Sequence, residues 1–481
     1  MSNQTPVPTR QPQIKMVSDE QVRDLHYATL EILSSIGVKM EDPQGRELLL
    51  EAGAWESGGR IKIPENLVID AIASAPSRIP MHNRLGELTM PLELGKVFFG
   101  PGSDTTFTMD VETGERRRAK AKDVENFAKL GDALGQIDFI MSMGNPSDVP
   151  EDTLYLHAFI GMIRGSVKPN VYTAQNRQDM EDIYRIAVAV AGGEDQLRER
   201  PFLLHYAEPI SPLFIIEESL QKHLFCAEKG IPAAYIPSPN TGGGGPITVA
   251  GAVAVGNAEC LVGLILTQLI RPGAPFLYGM NTAALDMKST IVSYGSPEWN
   301  LGMGAWTELA RYYNLPVWGY GGASDSKVVD AQAGIEATFS IMNALLTRCT
   351  LVHDVAYIEY GSTSSMEMLV IADEIIRMMR YYMRGVPVNK NTLALDAIAR
   401  AEPGGGFLAD EHTMDNFRSA QWLPELIDRL QYDVWEDSGS RDMHARANER
   451  ARAILAEHNP PELPGEAEQV IKEVLEQRAT R

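Results

Sequence analysis

A histidine and an acid follow one of the last apolar segments of this sequence. Residues 350–352 have the pattern of a short strand, and His353 and Asp354 come directly after it. Barrel enzymes carry their chemistry on the loops that follow strands. A histidine at that position can orient a substrate or exchange a proton near neutral pH. We interpret His353 as a candidate catalytic residue; the alternative is a hydrogen-bonded core histidine.

Aromatic and acidic residues recur at the ends of other predicted strands. On a barrel these ends converge on one mouth, where aromatic faces and carboxylates can form a cage for a quaternary ammonium. The alternative is that several of them fill the core, since Trp318 and Tyr320 share one strand face. The candidate substrate-binding residues are Phe99, Asp104, Tyr206, Glu208, Trp299, Trp318, Tyr320, Lys327 and Tyr360.

Eight predicted strands have to position these residues. A hairpin at 105–118, turning at Thr113-Gly114, follows the first strand, and a helical pattern follows each of the others. This alternation over about 290 residues favours an α/β protein with a (β/α)8 TIM barrel. A doubly wound open sheet is the alternative, although no GxGxxG motif supports it. The predicted strands are 97–100, 138–142, 170–173, 203–207, 232–236, 275–278, 316–320 and 350–353.

Two further segments flank the predicted barrel, which spans residues 96–388. Residues 1–95 are expected to form an N-terminal helical segment. Residues 389–481 are expected to form a C-terminal helical extension. Its predicted helices are 390–400, 413–434, 440–456 and 465–478.

Charge and apolar patterning limit the partners and the location of the protein. The 43 Lys and Arg residues against 64 Asp and Glu residues give a net charge of −21, which argues against binding nucleic acid. The most apolar stretch, 247–270, contains Asn257, Glu259 and Gln268, which are costly in lipid. We therefore predict a buried helix and no membrane association. Three scattered cysteines form no disulfide framework and indicate a cytoplasmic protein.

Motifs for metal binding and for a serine nucleophile are missing from the sequence. HExxH, CxxC and GxSxG do not occur, and the nine histidines are dispersed. His223 and Cys226 are spaced for one helix face, which leaves a zinc site as a weak alternative. We expect no metal bound by this chain.

Eight short motifs between residues 99 and 405 can be compared with known families. They lie at 99–102, 110–117, 208–213, 245–251, 271–275, 295–298, 326–334 and 403–405. Together they resemble the trimethylamine methyltransferase (MttB-like) superfamily over nearly the full chain. The resemblance implies a (β/α)8 barrel that passes a substrate methyl group to the Co(I) of a corrinoid (cobalamin) carried by a separate corrinoid protein.

Two departures from the family pattern refine this expectation. Trimethylamine enzymes of the family carry pyrrolysine near the last barrel strand, whereas residues 353–361 are all standard here. The chain therefore resembles the non-pyrrolysine, glycine betaine methyltransferase-like branch, which acts on quaternary amines. Gly406 stands where related sequences often have a histidine after Pro-Gly-Gly, so no role for that histidine is carried over.

A quaternary amine already carries the charge that activates its methyl groups. Neither a general acid nor zinc is then required, and the protein acts by positioning and electrostatics. Helix N-termini, with His353 or Lys327, are expected to bind a betaine carboxylate. A homo-oligomer is also expected. Two alternatives remain: a zinc-dependent corrinoid methyltransferase, and a non-catalytic betaine-binding or sensor protein.

Overall fold

The computed structural model describes residues 12–480; residues 1–11 of the expected N-terminal segment and residue 481 lie outside it. The strands are β1 (Lys39–Met40), β2 (Trp55–Ser57), β3 (Arg60–Lys62), β4 (Arg78–His82), β5 (Leu88–Glu93), β6 (Phe98–Pro101), β7 (Phe107–Met109), β8 (Arg116–Arg118), β9 (Asn170–Tyr172), β10 (Leu203–Ala207), β11 (Phe214–Ile215), β12 (Ala233–Tyr235), β13 (Phe276–Gly279), β14 (Ala284–Leu285), β15 (Val292–Ser293), β16 (Val317–Tyr320), β17 (Leu351–Val355), β18 (Tyr357–Ile358) and β19 (Thr363–Ser364).

Most of the helices alternate with these strands. They are α1 (Asp19–Glu31), α2 (Pro43–Glu51), α3 (Glu65–Ser74), α4 (Ala121–Ala133), α5 (Leu154–Gly165), α6 (Arg177–Ala191), α7 (Glu194–Glu199), α8 (Glu217–Lys229), α9 (Val249–Ile270), α10 (Pro297–Tyr313), α11 (Ala331–Thr347), α12 (Met366–Tyr382), α13 (Lys390–Leu393), α14 (Leu395–Ala401), α15 (Glu411–Ala420), α16 (Tyr432–Asp437), α17 (Met443–Glu457) and α18 (Gly465–Ala479).

Seven strands form the central parallel sheet, in the order β6-β17-β16-β13-β12-β10-β9. Nearly all their side chains are buried, as expected for a parallel sheet covered on both faces. Each of these strands lies within two residues of its predicted bounds. The hairpin β7–β8 follows β6, also as predicted. The protein therefore belongs to the α/β class.

The remaining predicted strand, 138–142, is irregular. It contributes an isolated parallel bridge between Ile140 and Asn170 of β9. On its other side, Asp138 N donates to Phe99 O at 2.6 Å, while Phe99 N donates to the Asp138 carboxylate at 2.8 Å. A side chain thus replaces part of the backbone ladder, which explains why no regular strand forms. The segment nevertheless bonds to both edges of the sheet.

Helix α9 is the apolar stretch singled out in the sequence. It is long and apolar enough to cross a membrane, but 78% of its most apolar part is buried inside the protein. Its polar side chains have partners: Asn257 Nδ2 donates to Tyr313 OH at 2.8 Å, and Asn257 Oδ1 accepts from Tyr278 OH at 2.8 Å. The prediction of a buried helix is confirmed.

The N-terminal segment is less helical than predicted. It contains α1 to α3, but also the antiparallel pairs β2–β3 and β4–β5. In β4, Ile79 and Met81 are buried while Arg78 and Pro80 are exposed, which is the period-two pattern of a strand. β1 pairs in parallel with β11, in the loop after β10. This segment therefore helps to hold that loop.

The C-terminal extension consists of α13 to α18. The predicted helix at 413–434 is wrong, because α15 ends at Ala420 and α16 begins at Tyr432. Pro424 lies between them, and a proline in a helix interior removes a hydrogen bond and clashes with the preceding turn. Farther on, α17 packs on α12 and α4, and α18 packs on α6.

Candidate functional site

A β-bulge in β17 directs two neighbouring side chains to the same region. Along β6, the pairing passes from Val352 to Val355 with a single residue opposite His353 and Asp354. Successive side chains of a regular strand point to opposite faces, and a bulge breaks that alternation. Asp354 has a φ of 72°, and its Oδ1 lies 2.8 Å from His353 Nδ1. Both side chains therefore lie on the same side of the sheet.

Four rings from three strands form what we call the aromatic cluster (Tyr206, Trp318, Tyr320 and His353). Tyr206 stacks on Trp318 with centroids 4.8 Å apart and planes at 4°. The His353 ring lies 4.4 Å from Trp318 and 4.6 Å from Tyr320. Two strands separate β10 from β16 in the sheet, so Tyr206 and Trp318 can meet only on the concave side of a strongly curved sheet.

Helix α10 and the loop before it extend the cluster toward solvent. Trp299, in the first turn of α10, lies 5.0 Å from Tyr320, and Tyr294 lies 5.0 Å from Trp299. The Trp299 indole N–H donates to Asn281 Oδ1 at 2.9 Å, which fixes the ring. Tyr294 and Asn281 were not among the candidates from the sequence. Both lie in the long connection between β13 and α10, where periodicity gives no signal.

Glu208 supplies a carboxyl group next to the aromatic cluster. It follows Tyr206 by two residues, on the same side of the chain, and accepts a hydrogen bond from Tyr206 OH. Its side chain is reached by solvent although protein surrounds it, as expected for a group that projects into a cavity. Burial, reinforced by the negative charges of Asp104 and Asp354, raises the pKa of Glu208 to about 7, against the lowering effect of Tyr206.

Asp104 is a second carboxyl group of the site. It has a φ of 63° and accepts hydrogen bonds from Ser103 Oγ at 2.8 Å and Thr173 Oγ1 at 3.2 Å. Burial raises its pKa above the usual value. The positive charge of Lys222 acts on both Asp104 and Glu208. With Asp354, three carboxyl groups lie around the site, against one lysine. This excess of acidic groups favours the binding of a cation.

His353 has an unused ring nitrogen. In the described structure its Nε2 is buried and has no hydrogen-bond partner, and Nδ1 faces Asp354 at an angle outside the hydrogen-bond range. A buried polar group without a partner costs free energy. A bound substrate that offers Nε2 a partner would recover this cost.

Lys327 and Tyr360 lie outside the aromatic cluster, at a neighbouring cleft of about 870 Å³. Lys327 Nζ lies 5.8 Å from the centre of the Tyr360 ring and donates to Asp325 O at 2.8 Å. Asp325 Oδ1 in turn accepts from Tyr294 N at 2.8 Å. The cleft therefore adjoins the cluster through Tyr294, with Lys327 on its rim.

Phe99 does not join the candidate site. Its side chain is fully buried beneath the Arg380 guanidinium of α12, 5.5 Å from the ring centre. It thus faces the helices rather than the concave side of the sheet. The prediction grouped Phe99 with the aromatic residues near strand ends, but Phe99 is the second residue of β6, and alternate residues within a strand point to opposite faces.

Asp354 belongs to the site although it is not among the candidates predicted from the sequence. In a regular strand it would point away from His353, and the bulge that turns it inward has no signature in the sequence.

For metal binding, no group of three or more His, Cys, Asp or Glu side chains is suitably placed among residues 12–480. The three cysteines are free and buried.

Glu259 of α9 anchors the loop that follows Glu208. Its carboxylate accepts from Ser211 Oγ at 2.8 Å and from Leu213 N. Burial raises its pKa from 4.5 to about 8. Because the folded-state pKa lies above the unfolded one, this group's contribution to stability is complete below about pH 4.5 and is lost as the pH rises to about 8.

We therefore expect Glu259→Gln to flatten the decline of Tm between pH 5 and pH 8, measured by thermal denaturation. The matched control is Glu217→Gln, which alters an exposed glutamate and should leave the wild-type slope unchanged. An unaltered slope in Glu259→Gln would show that this carboxyl group does not titrate in that range.

Comparison with known proteins agrees with this architecture. The crystal structure of the Methanosarcina barkeri monomethylamine methyltransferase (MtmB) superposes with a TM-score of 0.51 at 12% identity, covering 97% of this chain and 88% of that one. At this identity the likeness concerns the fold alone.

Sequence relatives are considerably closer. A glycine betaine methyltransferase of Desulfitobacterium hafniense is 33% identical over 469 residues, covering 97% of this chain and 98% of the relative. A trimethylamine methyltransferase MttB of the same species is 32% identical over 465 residues, covering 96% and 93%. The family model described as trimethylamine methyltransferase (MTTB) matches residues 1–481. The resemblance inferred from the motifs is confirmed: the chain belongs to the trimethylamine methyltransferase (MTTB) family.

Proposed function

We propose that this protein transfers a methyl group from a quaternary amine of the glycine betaine type to the Co(I) of a corrinoid carried by a partner protein. The observation that carries the proposal is the meeting of aromatic rings from β10, β16 and β17 with three carboxyl groups on the concave side of the sheet. The similarity to a glycine betaine methyltransferase supports it. We also propose that residues 138–142, bonded to both sheet edges, complete a (β/α)8 barrel.

Recognition of the substrate rests on its permanent positive charge. A desolvated ammonium over an aromatic face gains about 2 kcal/mol. Tyr206 is the partly exposed ring of the aromatic cluster and provides such a face, while the buried Trp318 ring supports it by stacking. Glu208 adds a negative charge that solvent still screens. This moderate attraction suits the reaction, because the substrate loses its charge in the transition state and excessive ground-state binding would slow the step.

The transfer step needs no proton. The bond between the methyl carbon and nitrogen breaks as a bond from carbon to cobalt forms. The cobalt supplies the new electron pair, and the old pair stays on nitrogen, which leaves as a neutral tertiary amine. The residues of this chain would orient one methyl group toward the carboxyl ends of the strands, where the partner's corrinoid would approach. Lys327, which lines the adjoining cleft, would attract a substrate carboxylate by its positive charge.

The role of His353 can be tested by two substitutions. We expect His353→Ala to lower kcat about 10- to 100-fold, because small errors in substrate orientation are costly. His353→Phe keeps a ring against Trp318 and Tyr320 but removes both nitrogens, and it should be about equally impaired if Nε2 orients the substrate. Steady-state kinetics measure both effects. Full activity of His353→Ala would show that His353 has no role in the mechanism.

The proposed function is tested by incubating the protein with a Co(I) corrinoid and single methyl donors. The donors are glycine betaine, proline betaine, carnitine and trimethylamine. We expect the methyl–Co(III) absorption spectrum to develop with at least one quaternary amine and not with trimethylamine. Absence of any spectral change would contradict the proposal.

Two further measurements separate the alternative functions. Stoichiometric zinc in the purified protein, together with loss of activity on chelation, would favour a zinc-dependent corrinoid methyltransferase. Calorimetric binding of betaine without transfer to any corrinoid would favour a sensor. We expect binding and transfer to occur together.

A further inference from the structure

Lys222 of α8 is a largely buried cation next to the candidate site. Its side chain is 13% exposed, and its positive charge acts on the carboxyl groups of Asp104 and Glu208. Burying an ammonium group costs free energy unless an anion or hydrogen-bond acceptors compensate. The groups that surround its Nζ atom therefore indicate its role.

The Nζ atom of Lys222 lies at the edge of the central sheet where the strands end. It donates to Ala174 O at 2.7 Å, and the neighbouring Thr173 donates from Oγ1 to Asp104 Oδ1 at 3.2 Å. Thr173 and Ala174 directly follow β9, and Glu208 directly follows β10. Barrel enzymes bind their substrates at this edge. The ammonium group of Lys222 thus lies beside two carboxyl groups of the site.

Lys222 has hydrogen-bond donors to spare. A lysine ammonium offers three N–H groups, and Ala174 O accepts one of them. The carboxylate of Glu218 is 3.9 Å away and its side chain is 63% exposed, and that distance is too long for a hydrogen bond. Two N–H groups of Lys222 therefore have no hydrogen-bond acceptor among residues 12–480 and are left for a ligand or for water.

The carboxyl groups around Lys222 neutralise its charge only in part. Burial raises the pKa of Asp104 and raises that of Glu208 to about 7, so both groups are protonated more often near neutral pH than exposed acids are. A protonated carboxyl group carries no negative charge. Burial also lowers the pKa of Lys222, but nearby acids, Glu218 first among them, oppose this effect. The site therefore combines negative groups with a positive charge that they offset incompletely.

A zwitterionic ligand matches this arrangement better than a simple cation does. In glycine betaine a single methylene separates the ammonium group from the carboxylate, so both charges must be bound close together. Tyr206 and Glu208 supply an aromatic face and a negative charge, and the positive charge of Lys222 acts on Glu208. Lys327 is exposed and lines the adjoining cleft, where water and salt screen its charge. Lys327 can attract a carboxylate during approach, whereas Lys222 can hold one beside Glu208.

We propose that Lys222 binds the carboxylate of the substrate while Tyr206 and Glu208 bind its ammonium group, so that the site selects betaines over quaternary amines that lack a carboxylate. This inference rests on the proposed function and adds to it a residue that determines specificity. The carboxylate accepts the two free N–H groups of Lys222, and charge-assisted hydrogen bonds of this kind are stronger than neutral ones. A lysine that only held the loop after β9 through Ala174 O would give no such selection.

The test is calorimetric titration of the full-length protein, without any corrinoid, with glycine betaine and with tetramethylammonium, which lacks the carboxylate. We expect the wild type to bind glycine betaine more tightly. Lys222→Met keeps the length of the side chain but removes its charge. It should weaken the binding of glycine betaine about 10- to 100-fold, as expected for lost hydrogen bonds to a charged group. Tetramethylammonium should bind equally well or more tightly, because a nearby positive charge is gone.

Lys229→Met is the matched control on the same helix. Lys229 is the last residue of α8, where its Nζ lies 4.9 Å from the centre of the Tyr184 ring, and both affinities should keep their wild-type values. Lys222→Gln is a second neutral variant that should reproduce the pattern of Lys222→Met. Retained binding of tetramethylammonium shows that each variant is folded.

Equal weakening of both ligands in the two neutral variants would overturn the proposal, because it would indicate a structural role for Lys222. Unchanged binding of glycine betaine in these variants would do the same, as would a wild type that binds no glycine betaine or binds both ligands equally. A selective loss in Lys327→Met alone would assign the carboxylate to Lys327 instead. Methyl transfer is judged separately: failure of every quaternary amine to form methyl–Co(III) would contradict the proposed function and leave selective binding through Lys222 intact.

Discussion

Glu208→Gln is expected to lower kcat/KM for a quaternary amine by about 10- to 30-fold at pH 8, mainly through a higher KM. Truncating one partner of a buried charge pair costs about 2–5 kcal/mol, and solvent access to Glu208 places the effect at or below the lower end. Glutamine keeps the shape and the acceptor for Tyr206 OH but removes the charge. Steady-state kinetics with the cobalt assay measure the change.

The pH dependence provides an independent check on Glu208. Its pKa of about 7 in the free protein means that the carboxylate forms as the pH rises through neutrality, so wild-type kcat/KM should rise there too, since this parameter reports ionisations of the free enzyme. Glu208→Gln should lose this rise. Glu298 is an exposed glutamate that lines the cleft next to Lys327, and Glu298→Gln should retain the rise in kcat/KM. A rise that persists in Glu208→Gln would assign the ionisation to another group.

Trp318→Ala is expected to lower the free energy of unfolding by about 3–5 kcal/mol, as for other buried tryptophans. The ring is fully buried and contacts both Tyr206 and His353. Its loss also removes the ring on which Tyr206 stacks and frees two site residues to move. We therefore expect activity to fall beyond what unfolding explains. Urea denaturation and kinetics on the folded fraction separate the two effects.

Trp306 provides the matched control for Trp318. It is equally buried, and its indole N–H donates to Trp318 O at 3.0 Å, but it meets the aromatic cluster only through the edge of Tyr320, at 6.1 Å. Trp306→Ala should cost similar stability with a smaller loss of activity per folded molecule. Equal losses of activity would mean that Trp318 acts through packing alone.

Periodicity and strand-end reasoning predicted the sheet well. Buried parallel strands read as short apolar runs, so seven strands were placed within two residues. The same reasoning placed His353, Tyr206, Trp318 and Tyr320 at strand ends that do converge. It could not exclude Phe99, because successive side chains of a strand lie on opposite faces and the sequence does not show which of the two faces is concave.

Long-range contacts account for most of what the sequence did not reveal. Asp354 enters the site through a bulge that arises from pairing with β6, and Tyr294 reaches it from a connection without periodicity. The small strands of the N-terminal segment form by pairing with distant residues, such as Lys39 with Phe214. Each depends on which segments become neighbours in space, and local patterns do not record that.

Because β17 has one extra residue opposite β6, the number of residues in this part of the strand matters for the site, in addition to their types. Before the bulge, side chains at odd and even positions of the strand point to opposite faces, and after the bulge the two sets exchange faces. Inserting a single residue between His353 and Asp354 would separate the two side chains along the strand, even with every site residue still encoded. In distant relatives, the length of this short stretch is therefore as informative about the site as the residue types within it.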